Sequence, residues 1–128
     1  MINSRTKILI VDDELTSRRI MEKIIRGQWQ CNLILADDGS EGLKIMLKEL
    51  PSLVILDMVM PFMNGIQVLQ IMRQSAKLTK MNVLACTAVD DSKIVKEVLK
   101  YGVLDYMVKP VSKETLVAKL TKLFEKIN

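Results

Sequence analysis

Leu53-Val54-Ile55-Leu56-Asp57, continuing as Met58-Val59-Met60-Pro61-Phe62-Met63-Asn64-Gly65, is the stretch on which the reading of this chain turns. Four apolar residues run straight into an aspartate. A short apolar run closed by turn signals reads as a strand buried on both faces. Pro61, Asn64 and Gly65 supply the turn chemistry. Asp57 is therefore expected at the carboxyl end of a central strand, the edge of an open α/β sheet where ligands bind. A carboxylate there is costly to desolvate unless it is paired, metal-bound or working.

Working outward, the same pattern recurs. Lys7 to Val11 is a buried-type strand ending in Asp12-Asp13-Glu14, and Leu15 to Arg26 follows with helical spacing of Ile20, Met21, Ile24 and Ile25. Gly27 suits that helix's C-terminus. Leu33 to Ala36 is a second strand, stopped by Asp37-Asp38-Gly39; Ser40 is a plausible N-cap for a helix through Leu50, which Pro51 ends. After the central strand, Ile66 to Ala76 is helical, with Ile66, Leu69 and Met72 as its candidate inner face. Asn82 to Cys86 is a fourth strand ending at Thr87. Asp90, Asp91 and Ser92 signal a helix with Ile94, Val95, Val98 and Leu99 as its stripe, closed by Gly102. Asp105 to Val108 is a fifth strand ending at Lys109-Pro110. Ser112 opens a last helix striped by Leu116, Leu120, Leu123, Phe124 and Ile127. Strand then helix, five times over, predicts an α/β fold: a doubly wound parallel sheet with helices on both faces.

Length and composition agree with one domain. The chain has 128 residues, 49% apolar and 27% charged, a globular balance without a membrane-span-length apolar run or a signal-peptide core. A cytoplasmic location and no membrane insertion are the resulting expectations. Cys31 and Cys86 lie in or beside strands and read as small buried hydrophobes. Histidine is absent, which excludes His-based triads, histidine metal ligands and a phosphohistidine on this chain. The net charge is +4. Its bases fall on helical segments between acids and read as solvated faces, so no specific nucleic-acid binding is expected.

The strand ends form a constellation. The first delivers Asp12 and Asp13, the third Asp57, the fourth Thr87 and the fifth Lys109. Asp37 and Asp38, at the second, read as turn and cap residues. Crowded carboxylates raise one another's pKa unless a cation neutralises them. An all-oxygen donor set suits Mg²⁺, with Mn²⁺ able to substitute. Metal, hydroxyl and lysine around one carboxylate describe a phosphoryl-transfer site with Asp57 as nucleophile.

At this point the chain resembles the receiver domain of bacterial two-component response regulators, most closely the stand-alone chemotaxis-type (CheY-like) receivers. The motifs are VDDE at Val11 to Glu14, LDMVMPFMNG at Leu56 to Gly65, CTA at Cys86 to Ala88 and YMVKP at Tyr106 to Pro110. The resemblance implies a flavodoxin-like (βα)5 fold, strand order 2-1-3-4-5, with residues 1–128 as a single receiver domain lacking an output domain and acting as a monomer. It implies that Asp57 accepts a phosphoryl group from a histidine kinase or histidine phosphotransfer protein. Asp13 and Asp57 would bind Mg²⁺ directly, with the Met58 carbonyl contributing and Asp12 helping. Lys109 would pair with Asp57 and then with the phosphoryl group, Thr87 would move to bond a phosphoryl oxygen, and Tyr106 would rotate inward as Thr87 leaves its space. A cis Lys109-Pro110 bond is also implied. The readout would be the surface of the fourth helix, fifth strand and fifth helix, with chemotaxis as the process that the resemblance suggests.

Leu15, at the mouth of the site, reads either as an exposed contact for a phosphodonor or as a buried helix-start residue. Trp29 is expected to pack at the opposite edge of the sheet. The rival functions are a haloacid-dehalogenase-like phosphatase with a first-strand Asp nucleophile, for which Asp12 to Thr16 is a near miss, and a phosphorylation-independent interaction module. Two positions depart from the best-known chemotaxis receivers. Val59 and Val89 stand where polar residues can orient the water that hydrolyses the acyl phosphate. Neither valine can hydrogen-bond water, so slow self-dephosphorylation is predicted. Phosphate-release assays should show Val59→Asn losing its phosphoryl group faster than wild type; equal rates would refute the role of this position.

Overall fold

The computed structural model describes residues 1–88 and 92–127. Chain order is β1 (Lys7–Val11), α1 (Leu15–Gln28), β2 (Asn32–Ala36), α2 (Gly39–Glu49), β3 (Leu53–Asp57), α3 (Gly65–Gln74), β4 (Val83–Thr87), α4 (Ser92–Lys100), β5 (Asp105–Val108) and α5 (Lys113–Lys126). The five strands form one parallel sheet in the order β2-β1-β3-β4-β5. This is the doubly wound arrangement expected from the strand–helix alternation. Among the described residues no helix is long and apolar enough to cross a membrane.

The period-two alternation of strand side chains divides the core into two layers. Leu9, Val11, Val54, Leu56, Val83 and Ala85 face one side, where Met46, Val68, Leu69, Met72 and Val98 of α2, α3 and α4 cover them. Ile8, Ile10, Leu53, Ile55, Leu84 and Cys86 face the other, under Met21 and Ile25 of α1 and Leu116, Leu120, Leu123 and Phe124 of α5. β3 is therefore buried along its whole length, Asp57 included.

Local chemistry sets the helix ends, and several differ from the sequence reading. The α2 cap is Asp38, whose carboxylate accepts from the Glu41 N–H at 2.7 Å; the helix already begins at Gly39, which places Ser40 inside its first turn rather than at the cap. Asn64 and Gln67 close a reciprocal capping box on α3, so that helix starts at Gly65 rather than Ile66 and ends at Gln74. Gly27 lies inside α1, which runs on to Gln28. Ile20 is exposed, because the sheet takes only the Met21–Ile25 stripe. On α4 only Val98 is buried, and Leu99 is exposed at the sheet margin. Ser112 caps α5 as expected, accepting from Thr115 N–H. Asp90 and Asp91, read as helix-start signals, lie outside the described residues.

One side chain ties together the loops at the amino edge of the sheet. The Arg73 guanidinium donates to the carbonyls of Tyr101 at 2.6 Å, Met81 at 2.9 Å and Thr79 at 3.1 Å. These lie in the turns entering β4 and β5. Burial pulls the Arg73 pKa down from its usual value. Removing the guanidinium would leave these carbonyls without a charged donor. Arg73→Ala should destabilise the fold by roughly 3 kcal/mol, read as a lower urea midpoint, with Arg73→Lys recovering only part of the loss.

Candidate functional site

Parallel register places the ends of β1, β3, β4 and β5 on one edge. Val11 pairs with both Ala36 and Leu56, Asp57 with Cys86, and Thr87 with Val108. The next residues, Asp12 after β1 and Lys109 after β5, arrive at the same place. Carboxylate oxygens of Asp12, Asp13 and Asp57 come within 4.8 Å of one another. Asp12 is 0% and Asp57 3% exposed, whereas Asp13 is exposed.

Each buried carboxylate is bonded in the same way. Asp12 Oδ1 accepts from the Glu14 N–H at 2.9 Å, and Asp57 Oδ1 from the Val59 N–H at 3.1 Å. Their Oδ2 atoms share one ammonium: Lys109 Nζ lies 3.0 Å from Asp12 and 3.1 Å from Asp57. The Lys109 side chain is only 15% exposed. Two elements steady the bridge. Arg18 Nη1 donates to the Asp12 carbonyl at 2.7 Å, and the Lys109 N–H donates to the Thr87 carbonyl at 2.7 Å. The Lys109-Pro110 bond is cis, as the resemblance implied. Pairing of Lys109 with Asp57 is expected from the resemblance; its second partner, Asp12, is not. The signal was weak, since both acids of the Asp-Asp pair were candidates.

The electrostatics follow from burial. Desolvation pushes Asp57 up to about 6, the Asp12 charge adds to this, and the Val59 N–H and Lys109 oppose it. Burial alone would lower Lys109, but its hydrogen bond to Asp12 and the charges of Asp57 and Asp12 raise it above the usual lysine value. Burial also pushes the Cys86 thiol up to about 12. Cys86 is thus a protonated core side chain, while Cys31 is half-buried.

The remaining expected residues fall around this centre. Thr87 is buried at the end of β4. The Met58 carbonyl accepts from the Gly65 N–H at 3.0 Å and keeps a second lone pair. Val59 is 57% exposed beside the Asp57 carboxylate; Val89 lies outside the described residues. Tyr106 is half-buried, with Lys119 Nζ 6.0 Å from its ring centre. That lysine is held by Asp105 at 2.9 Å. Leu15 is exposed, which removes the buried alternative. Asp37, Asp38 and Glu41 form a second acidic group, but all three are exposed and Asp38 is spent as a helix cap. Trp29 packs at the far end of α1 with Ile2 and Phe124.

The donor set suits a hard divalent cation. It is all oxygen, two carboxylates are fixed by hydrogen bonds, and the exposed Asp13 adds a third that leaves room for water. In chelator, ionised Asp57 is a burden on the fold. An acid raised to about 6 from 3.8 holds its proton more tightly when folded, so acidification through this window stabilises the protein. At pH 8 in chelator, Asp57→Asn should raise stability by roughly 2 kcal/mol. The gain should shrink as pH falls below 6, measured by urea unfolding at each pH. A gain that grows on acidification would refute this account.

Comparison with known proteins agrees with the geometry. Residues 8–121 match the response regulator receiver domain family. The chain is 38% identical over 127 residues to chemotaxis protein CheY-3 of Vibrio cholerae, covering 99% of this chain and 98% of the relative. It is 36% identical over 122 residues to chemotaxis protein CheY of Pseudomonas aeruginosa, covering 95% and 98%. The crystal structure of chemotaxis protein CheY4 of Vibrio cholerae superposes with a TM-score of 0.85 at 25% identity, over 93% of this chain and 98% of that one. Sheet order, strand-end acids and sequence thus converge: this chain belongs to the response regulator receiver domains, of the CheY-like kind.

Proposed function

We propose that this protein is a phosphorylation switch in which Asp57 is the phosphoacceptor. The observation that carries the reading is the shared ammonium: Lys109 joins the buried carboxylates of Asp57 and Asp12. An Asp57 carboxylate oxygen attacks phosphorus on a donor phosphohistidine. The new O–P bond forms as the P–N bond breaks, and its electron pair leaves with the imidazole nitrogen. Receiver domains are signalling modules rather than classical enzymes, so the acyl phosphate is itself the signal.

Asp13, Asp57 and the Met58 carbonyl would hold Mg²⁺, or Mn²⁺ in its place, with Asp12 helping. The bound ion would supply positive charge for phosphoryl oxygens. The chain's own groups do the rest. The Val59 N–H holds one Asp57 oxygen, and the other faces the Lys109 ammonium. Lys109 follows the added charge from carboxylate to phosphoryl group. The phosphoryl group carries about −1.5 to −2 charges in place of the single carboxylate charge, and the Thr87 hydroxyl satisfies one of its oxygens by drawing in the loop after β4. Tyr106 then turns into the space Thr87 leaves. It starts half-buried beside the Lys119–Asp105 pair, so its movement alters the α4–β5–α5 surface. That surface would bind a downstream protein. A chemotaxis role is the reading that the names of the CheY relatives favour.

Acetyl phosphate with Mg²⁺ should label wild-type protein on Asp57 and leave Asp57→Asn unlabelled, as read by intact mass and peptide mapping. Label on Asp12 would instead support the first-strand phosphatase reading. Asp13→Asn should weaken Mg²⁺ binding roughly tenfold or more, followed by titration calorimetry.

A further inference from the structure

Phe62 is unlike any other side chain near the site. It is 104% exposed and its backbone φ is +66°, in the left-handed region. The Met63 N–H donates to the Pro61 carbonyl at 2.7 Å across it. That bond and that φ are the marks of the rarer, strained γ-turn. Asparagine or glycine fits such a backbone; a bulky aromatic does not. Phe62 therefore carries strain and packs against nothing in its own chain. Fold stability does not explain it.

Its position suggests what does. The loop from Met58 to Gly65 begins at the phosphoacceptor, and the Val59 N–H touches the Asp57 carboxylate. Residues 58 to 64 contain no charge in a chain that is 27% charged. Val59 and Phe62 are both exposed, and across the site so is Leu15 at the start of α1. The acceptor carboxylate lies at the base of this rim, 3% exposed. A donor phosphorus must come within bonding distance of it, so the donor's surface must rest on the rim. The proposed readout surface lies at the β5 edge, two strands away from β3, which favours the donor over a downstream reader as the occupant.

We propose that Phe62 is an aromatic anchor that selects the phosphodonor protein, inserting into an apolar hollow beside its phosphohistidine. Aromatic anchors concentrate binding energy at interfaces, and γ-turn strain holds this ring out where it can be buried only by a partner. The inference rests on Asp57 being the acceptor, and the two are separable by experiment. Phosphoramidate carries the P–N bond of phosphohistidine with no protein around it. Histidine phosphotransfer domains and histidine kinases of the host cell, phosphorylated singly, carry the same bond inside a surface.

Wild type, Phe62→Asn and Phe62→Tyr are compared with both donors after circular dichroism confirms equal folding. Phosphoramidate should label Asp57 at the same rate in all three. Transfer from the protein that serves wild type best should fall roughly tenfold to thirtyfold in Phe62→Asn, mainly through KM, and recover in Phe62→Tyr. Equal protein-to-protein transfer in wild type and Phe62→Asn overturns the inference. So does a parallel loss with both donors, which would make the ring a support for the loop. Unchanged transfer with lost self-association by sedimentation would assign the ring to contact between copies and overturn it too. Failure of phosphoramidate to label wild-type Asp57 would sink the acceptor reading itself.

Discussion

The structure depends on one ammonium held between two buried carboxylates. Asp12 and Asp57 end adjacent strands and are both closed to solvent. Two unpaired carboxylates at such a place would cost several kcal/mol in desolvation and repulsion. Lys109 makes the arrangement tolerable by reaching both at about 3 Å. Its reach is set at its own backbone, where the Lys109 N–H is anchored on the Thr87 carbonyl. Four strands must therefore end in register for the pair to be neutralised. The sheet positions the charges, and the charges in turn constrain how the strand ends can sit.

Much of this was legible in the sequence, for a definite physical reason. Strands of a doubly covered parallel sheet are nearly all apolar, so each announces itself as a short run and its end as the first polar residue. Asp57, Thr87 and Lys109 were each visible in that way. What was not legible depends on choices between near-equal neighbours. Asp38 and Ser40 both had cap chemistry, and only the register of α2 decides between them. Ile20 and Met21 sit on adjoining faces of α1, and the sheet accepts one. Lys109 could have paired with any of the three acids; its two hydrogen bonds, to Asp12 and to Asp57, are a property of distances. The positive φ of Phe62 had no signal at all, because the residue that would have given it, glycine or asparagine, is absent there.

The two halves of the site differ in how firmly they are held. β1 and β3 lie inside the sheet with neighbours on both sides, and their acids are fixed by N–H groups of their own following turns. β5 is an edge strand, and the α4 that precedes it offers a single buried residue, Val98. Local stability follows such burial, and weakly packed elements open or shift at lower cost. A signal generated at the firm centre would thus be expressed at the soft edge. Tyr106 and the Lys119–Asp105 pair stand on that edge.

The charge balance of the site favours the lysine, rather than a carboxylate, as the group that would move in the proposed switch. Three acids face one ammonium, so the centre carries excess negative charge, and a divalent cation would balance it. A phosphoryl group on Asp57, as proposed, would restore an excess. Asp12 cannot respond, because its side chain and its carbonyl are tied to the Glu14 N–H and Arg18. Asp57 would be committed to the new bond. Lys109 has a flexible stem and two partners, at 3.0 and 3.1 Å, and leaving either one keeps it paired with the other. Its second contact with Asp12 therefore serves both states. In the resting protein it shares the neutralisation of two carboxylates. Were Asp57 phosphorylated as proposed, the same contact would keep Asp12 from becoming a buried, unpaired charge while Lys109 turned toward the phosphoryl oxygens.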